Sequence, residues 1–112
     1  MAKKNIYFKF DMLILKMLSL GDCYGYEITQ TIKDLSDDVI DVKEGSLYPI
    51  MYKMVDAGYV TSYEKVVNRK VRVYYHLEES GKKYLDDITN EYLIWENKIK
   101  LILDYKGEID HE

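Results

Sequence analysis

The chain has 112 residues, of which 47% are hydrophobic and 32% are charged, values that suit one folded domain and exclude an intrinsically disordered chain. Its 16 basic and 20 acidic residues give a net charge of −4, which by itself argues against a polyanionic partner. The single cysteine, Cys23, excludes an internal disulfide, and no N-terminal stretch has the apolar length of a signal peptide or a membrane span. We therefore expect a cytoplasmic protein with no membrane partner.

The charged residues are segregated along the chain. From Lys65 to Leu77 there are four basic residues and no acidic one, whereas the segment from Asp34 to Asp41 contains four aspartates and no base. Binding to a polyanion needs clustered Lys and Arg, so only the first segment is suited to it. The aspartates lack the spacing and the central glycine of a calcium-binding loop, and we interpret them as a solvated loop.

The first third of the chain has the periodicity of helices. The first predicted helix spans residues 6–20, where apolar residues recur every three or four positions, and Gly21 ends it. A second helix is predicted to begin at Tyr24 and Gly25 and to end in an acidic loop at residues 36–41. Its buried face is expected to consist of Ile28, Ile32 and Leu35.

A third helix is predicted to open at Ser46, whose hydroxyl can cap it, with Pro49 in its first turn and Gly58 at its end. The residues predicted to face inward are Leu47, Ile50, Met51 and Met54. The opposite face is polar and aromatic and carries Ser46, Pro49, Tyr52 and Lys53, with Tyr48 at its N-terminal end.

After Gly58 the hydrophobic period changes from helical to two, which indicates strands. The apolar members of the pattern are Val71, Val73, Tyr75 and Leu77, and they alternate with Lys70, Arg72, Tyr74 and His76. We predict a half-buried strand here, with Val60–Lys65 as its hairpin partner and Val66–Arg69 as the loop.

A last, long helix is predicted from Glu78 to about Lys106, ended by Gly107 and followed by an acidic tail at residues 108–112. Apolar residues spaced four, three, four and three apart form a heptad seam on it: Ile88, Tyr92, Trp95, Ile99 and Ile102. So small a chain offers no internal partner of matching length, so the seam is expected to pack against a second copy.

Together these elements predict an α+β fold that is mostly α. It is a winged helix-turn-helix with an N-terminal helix and a long C-terminal dimerisation helix. We assign residues 1–77 to the winged helix-turn-helix, residues 78–107 to the dimerisation helix and residues 108–112 to the tail. In this architecture the third helix enters the major groove of DNA and the hairpin touches the backbone. The alternative is a small α+β domain that binds no nucleic acid.

Four motifs carry a family resemblance. They are Gly25-Tyr26-Glu27-Ile28, Gly45-Ser46-Leu47-Tyr48-Pro49, Gly58-Tyr59-Val60, and Arg72-Val73-Tyr74-Tyr75-His76-Leu77 followed by Gly81. In their order and spacing, over residues 13–85, the chain resembles the PadR family of regulators. It departs from the family pattern at Asn68, where a glycine is frequent, and at Glu78, which replaces the usual threonine.

The resemblance implies a homodimeric repressor of transcription. Its two third helices would read successive major grooves of a palindromic operator in double-stranded DNA, about 34 Å apart. Having one helix after the wing, the chain resembles the short members, in which that helix and the N-terminal helix build the dimer. The implied interface residues are Phe10, Ile88, Tyr92, Trp95, Ile99 and Ile102.

The resemblance also implies which residues meet DNA. In and before the third helix they are Lys43, Ser46, Tyr48, Tyr52 and Lys53, and in the hairpin they are Lys65, Asn68, Arg69, Lys70 and Arg72. The hairpin cations are expected to contact phosphates more than bases, and the helix end can hold a phosphate through its backbone N–H groups. The alternatives are that Ser46 only caps the helix, that Tyr48 packs against the wing, and that the cations form a solvated strand edge.

Trp95 is the only tryptophan and lies on the heptad seam. Some short members of the family stack paired tryptophans around a flat aromatic drug. The resemblance therefore makes Tyr92 and Trp95 candidate ligand-binding residues, and a small aromatic effector that relieves repression a candidate partner. The alternative is that both side chains fill the dimer core.

No arrangement of residues indicates catalysis. Cys23, His76 and His111 have neither the spacing of a zinc site nor that of a nucleophile and its base. We therefore expect a protein that is not an enzyme and needs no metal or cofactor. Two alternatives to a repressor stay open: a sensor or carrier of aromatic small molecules, and a winged helix that docks protein without binding DNA.

Overall fold

The computed structural model describes residues 9–110. In chain order its elements are α1 (Phe10–Ser19), β1 (Cys23–Tyr24), α2 (Gly25–Leu35), α3 (Glu44–Asp56), β2 (Val60–Val67), β3 (Lys70–Leu77) and α4 (Glu79–Leu103). Three helices, a β-hairpin and a final long helix form a winged helix-turn-helix, so the predicted fold class is confirmed. Ile6, predicted to lie in the first helix, is outside the described residues, as are the last two residues of the predicted tail.

The core lies where the first three helices meet the base of the sheet. Its largest fully buried side chains are Ile14, Leu15, Ile28, Leu47, Met51 and Val60. One predicted member of the core is wrong, because Leu35 is 70% exposed. Leu35 is the last residue of α2, and the chain turns away directly after it through Asp37 and Asp38, whose φ angles of 53° and 66° are left-handed.

The start of α3 corrects two predictions. The helix begins at Glu44, and its N-cap residue is Lys43, without a capping side chain. Ser46 is the third helical residue rather than the cap, and its backbone N–H donates to the Lys43 carbonyl at 2.9 Å. Pro49 therefore lies in the second turn. The N–H that it lacks would have reached the carbonyl of Gly45, an exposed residue near the helix end where the loss is tolerated.

The sheet has the strand order β1-β3-β2 and is antiparallel. The hairpin of β2 and β3, here called the wing, pairs from Val60↔Leu77 to Val67↔Lys70. Its turn is only Asn68 and Arg69, shorter than the predicted loop, and their φ angles of 53° and 67° suit a two-residue turn of the type I′ class. The two-residue strand β1 was not predicted.

Burial on β3 is confined to the base of the wing. Tyr75 and Leu77 are buried as predicted, but Val71 and Val73 are 63% and 43% exposed. The prediction of a half-buried strand is therefore wrong for the outer half of β3. The alternation in sequence is regular, but the helices lie only against the base of the hairpin.

The long helix α4 begins at Glu79 and ends at Leu103, short of the predicted end near Lys106, so Gly107 does not terminate it. Its first turns pack on the domain, where Gly81 and Leu85 are buried. From Leu93 to Leu103 every residue is exposed. The radius of gyration is 17.7 Å, against about 13 Å for a compact chain of this length, so the second half of α4 extends away from the body.

Candidate nucleic-acid interface

An open cleft of about 660 Å³ separates α3 from the wing. The N-terminus of α2 closes one end of it with Tyr24, Gly25 and Tyr26. Residues of α3 and of the wing line the two long sides; they include Glu44, Tyr48, Tyr52, Asp56, Ser62, Val71, Arg72, Val73 and Tyr75. The structure thus brings the predicted third-helix residues Tyr48 and Tyr52 to the same cleft as Arg72 of the wing.

The predicted contact residues of α3 differ in how they are held. Ser46, Tyr52 and Lys53 are exposed on the outer face of the helix. Tyr48 is half-buried, and its hydroxyl lies so near α2 that a Cβ atom added to Gly25 would be 2.7 Å from it. Glycine at position 25 therefore makes room for Tyr48, which packs against the start of α2 while it borders the cleft.

Lys43 differs from the other predicted contacts in already having an anionic partner. Its Nζ lies 2.6 Å from Oδ2 of Asp41. This hydrogen bond is the main reason that the pKa of Asp41 is lowered. The charge that Lys43 can offer a phosphate is therefore partly offset before DNA arrives.

The basic residues of the wing lie in two groups. Asn68, Arg69 and Lys70 are exposed at the tip. Lys65 and Arg72 are cross-strand neighbours nearer the base. The Lys65 Nζ atom is 5.1 Å from the centroid of the Tyr74 ring. None of the wing cations forms an ion pair within residues 9–110, so their charges are available to an external anion.

A row of three tyrosines, here called the tyrosine row, supports these two cations. It consists of Tyr24 on β1, Tyr74 on β3 and Tyr63 on β2, which are direct cross-strand neighbours. The Tyr24 and Tyr74 rings meet edge to face at 5.3 Å, and the Tyr63 and Tyr74 rings stack at 5.7 Å. Sequence reasoning missed the row because β1 is only two residues long.

Several residues of the cleft were absent from the predicted site. Tyr26 is 63% exposed, and Glu44 and Asp56 add acidic groups to the cleft that Arg72 lines. A carboxylate can accept a hydrogen bond from the amino group of cytosine, and apolar side chains can contact a thymine methyl group. The exposed valines 71 and 73 of the wing supply such apolar surface. The alternation of β3 marked these valines, but as core residues.

The predicted dimer residues fall into two sets. Phe10 and Ile88 are partly buried against the core of their own chain. Tyr92 is half-buried, and its hydroxyl donates to Glu96 at 2.9 Å. The remaining three residues lie on the extended part of α4, and their exposed fractions are 41% for Trp95, 45% for Ile99 and 73% for Ile102.

A winged helix whose exposed third helix and basic hairpin border one cleft has the architecture of a DNA-binding regulator. The model of the transcriptional regulator PadR-like family matches residues 14–87, more than half of the chain, and this chain belongs to that family. The predicted resemblance is thus confirmed. The prediction that the chain is not an enzyme is also confirmed, because members of the family are transcriptional regulators. No helix in the described part of the chain is long and apolar enough to cross a membrane.

Relatives and solved structures agree with this assignment. The negative transcriptional regulator PadR of Bacillus subtilis (strain 168) is 32% identical over 75 residues, which are 66% of this chain and 41% of that protein. A transcriptional regulator from Clostridium thermocellum is similar in structure, with a TM-score of 0.72 and 34% identity over 87% of this chain and 92% of the other. A PadR family transcription regulator from Clostridium difficile R20291 has a TM-score of 0.70 and 28% identity, covering 83% and 96%.

Proposed function

We propose that this chain is a cytoplasmic homodimeric repressor that binds a palindromic operator in double-stranded DNA. The observation that carries the proposal is the cleft, which has α3 on one side and the wing, including Arg72, on the other. The wing also carries Lys65, Arg69 and Lys70, which are exposed and form no ion pair within residues 9–110. A recognition helix needs a free outer face to enter the major groove, and a wing needs positive charge to lie along phosphates. The exposed face of α3 meets the first requirement, and the basic residues of the wing meet the second.

Helix α3 and the wing have different roles in this proposal. The exposed residues of α3, Ser46, Tyr52 and Lys53, contact bases and nearby phosphates, with Tyr48 positioned beside them. The wing residues Lys65, Asn68, Arg69, Lys70 and Arg72 contact phosphates and hold the register of the protein on the duplex. Lys43 contributes less, because Asp41 already pairs with it.

Dimerisation is proposed to cover the apolar face of α4. Trp95, Ile99 and Ile102 repeat with heptad spacing on a part of the helix that nothing in the described chain covers. An exposed apolar stripe of this length on a small protein is typical of an interface. A second copy would bury this stripe. It would also contact the groove between α1 and α4, which includes Leu13. The resulting dimer would present two α3 helices to one duplex.

Repression, rather than activation, is proposed because of the function of a relative. The Bacillus subtilis protein with 32% identity is a negative transcriptional regulator. A small aromatic effector is a subordinate prediction, because Tyr92 lines the groove between α1 and α4 whereas Trp95 does not. A ligand cage would need the second copy, and quenching of Trp95 fluorescence by planar aromatic compounds would reveal it.

The experiment is selection of duplexes from a random-sequence library, followed by binding assays at several salt concentrations and by sedimentation of the free protein. We expect enrichment of a palindrome, a dimer in solution, and affinity that falls steeply with salt because phosphate contacts release counterions. A reporter gene downstream of the enriched duplex should be silenced by the protein. A dimer that enriches no sequence would instead favour a winged helix that docks protein.

A further inference from the structure

Asp22 lies in the loop between α1 and β1 and joins both strands of the wing. The Tyr63 hydroxyl on β2 donates to Asp22 Oδ2 at 2.7 Å, and His76 Nδ1 on β3 lies 2.8 Å from Asp22 Oδ1. The partners are 41 and 54 residues away along the chain. One carboxylate therefore ties the two strands of the wing to the end of α1.

The charges around this cluster favour an ionised pair. Hydrogen bonds from Tyr63 and then His76 lower the pKa of Asp22, and Lys65 adds to the effect. The hydrogen bond to Asp22 raises the pKa of His76, against a smaller opposing effect of desolvation. Of the other charged groups that act on His76, Glu78 favours the protonated ring and Lys82 opposes it.

The tyrosine row connects Asp22 to the wing cations. Tyr63 stacks on Tyr74, whose ring carries the Lys65 ammonium group. On the other side Tyr74 meets Tyr24, and the Arg72 guanidinium lies 4.5 Å from the centroid of that ring. A substitution of Asp22 would therefore affect the positions of both Lys65 and Arg72 through these ring contacts.

We propose that Asp22 is a positioning residue of the wing, which holds Tyr63 and His76 so that the tyrosine row presents Lys65 and Arg72 to the DNA backbone. This inference rests on the proposed DNA-binding function. Asp22 itself contacts no DNA in this scheme, and as an anion near a phosphate it would be unfavourable. Its contribution is geometric.

An electrostatic role and a positioning role of Asp22 predict opposite changes in DNA affinity when its charge is removed. Asp22→Asn removes a negative charge, so electrostatics alone predicts tighter binding to the duplex enriched from the random library. Positioning predicts binding weaker by about fivefold, because hydrogen bonds to a carboxylate are replaced by weaker ones to a neutral amide. The salt slope should be unchanged, because Lys65 and Arg72 keep their charges and still reach the phosphates in the complex. The charge-matched control is Asp38→Asn, since Asp38 lies in the acidic loop at a φ that asparagine accepts. Equal or tighter binding by Asp22→Asn would overturn the proposal.

Three further variants separate the hydrogen bond from the charge. Tyr63→Phe should weaken binding in the wild-type background and have no effect in Asp22→Ala, because alanine offers the Tyr63 hydroxyl no acceptor and both changes therefore remove the same bond. His76→Gln keeps a donor but no longer titrates. Wild-type affinity should fall as the pH rises from the ordinary His pKa of 6.5 through the raised value, and His76→Gln should remove this pH dependence. Additive effects of Tyr63→Phe and Asp22→Ala would contradict the proposal.

A measurement without DNA keeps this inference separate from the proposed function. Hydrogen exchange of the full chain should be faster in the wing of Asp22→Asn and unchanged in α3. Failure to enrich any duplex would refute the proposed function. Unchanged exchange in the wing of Asp22→Asn would refute the role of Asp22 itself, whatever the DNA experiment shows.

Discussion

The guanidinium of Arg72 lies over the ring of Tyr24, with Cζ 4.5 Å from the ring centroid. Arg72 is half-buried, and its Nε atom is buried without a hydrogen-bond partner in the described part of the chain. A free arginine side chain loses about 2 kcal/mol of rotamer entropy when it is fixed. Stacking on Tyr24 offsets part of this entropy loss before DNA binds. Arg72 is therefore held in one place by the ring, unlike a solvated side chain.

Removal of this cation should weaken binding to every sequence. Arg72→Ala is expected to lower affinity for operator and random DNA alike and to reduce the salt slope by about one. Tyr24→Leu should keep the slope, because the charge stays, and lower the affinity. Salt titrations of both variants check this, with Lys98→Ala on α4 as a control. A salt slope unchanged by Arg72→Ala would show that Arg72 touches no phosphate.

The recognition helix should instead govern sequence preference. Tyr52 is 68% exposed on α3, so truncation removes little packing. Tyr52→Ala is expected to lose about 1–3 kcal/mol of discrimination for the operator, as for one specific base contact, and to leave binding to random DNA unchanged. Tyr105→Ala, which removes a tyrosine 63% exposed beyond α4, is the control. Equal losses on both DNAs would place Tyr52 on the backbone rather than on a base.

The exposed seam of α4 should control oligomeric state. Ile99→Asp combined with Ile102→Asp is expected to give a folded monomer, because the single chain leaves both side chains exposed and a carboxylate cannot be buried cheaply in an apolar interface. Sedimentation measures the mass and circular dichroism the helix content. Asn97→Asp, on the opposite face of the helix, adds a charge and should stay dimeric. Persistence of the dimer in the double variant would locate the interface elsewhere.

Gly81 should be required for packing the start of α4 against Tyr59, the residue before β2, and Leu77, the last residue of β3. A Cβ at this position would collide with the backbone carbonyl of Tyr59 and with Leu77. Gly81→Ala is therefore expected to cost about 1–3 kcal/mol of unfolding free energy through overpacking. Gly45→Ala is the matched control, because nothing lies within 4 Å of its Cβ, and it should gain about 0.5–1 kcal/mol in a helix. Urea unfolding, with all proteins at the same concentration, measures the unfolding free energies of both variants and the wild type. A Gly81→Ala variant as stable as the wild type would exclude the collision.

Local patterns predicted much of the fold. Apolar spacing placed α1, α2 and the body of α3, because it reflects which side of a helix meets the core. Alternation placed β3, and β2 was predicted as its hairpin partner. The helix ends were less accurate. Ser46 and Gly107 have the chemistry of a cap and a stop, but α3 begins two residues before Ser46 and α4 ends four residues before Gly107. Tertiary packing outweighed those local preferences.

The amino-acid sequence by itself determined the order of the helices and of the two wing strands, the segregation of positive charge into the wing, and the family, because these depend on residue type and spacing along the chain. The tertiary structure alone decided that Asp22 meets Tyr63 and His76, that Arg72 lies on Tyr24, and that Val71 and Val73 stay exposed. Those contacts depend on strand register and on how far the hairpin extends past the helices. Neither quantity has a local signal, because each is set by the packing of residues distant in sequence.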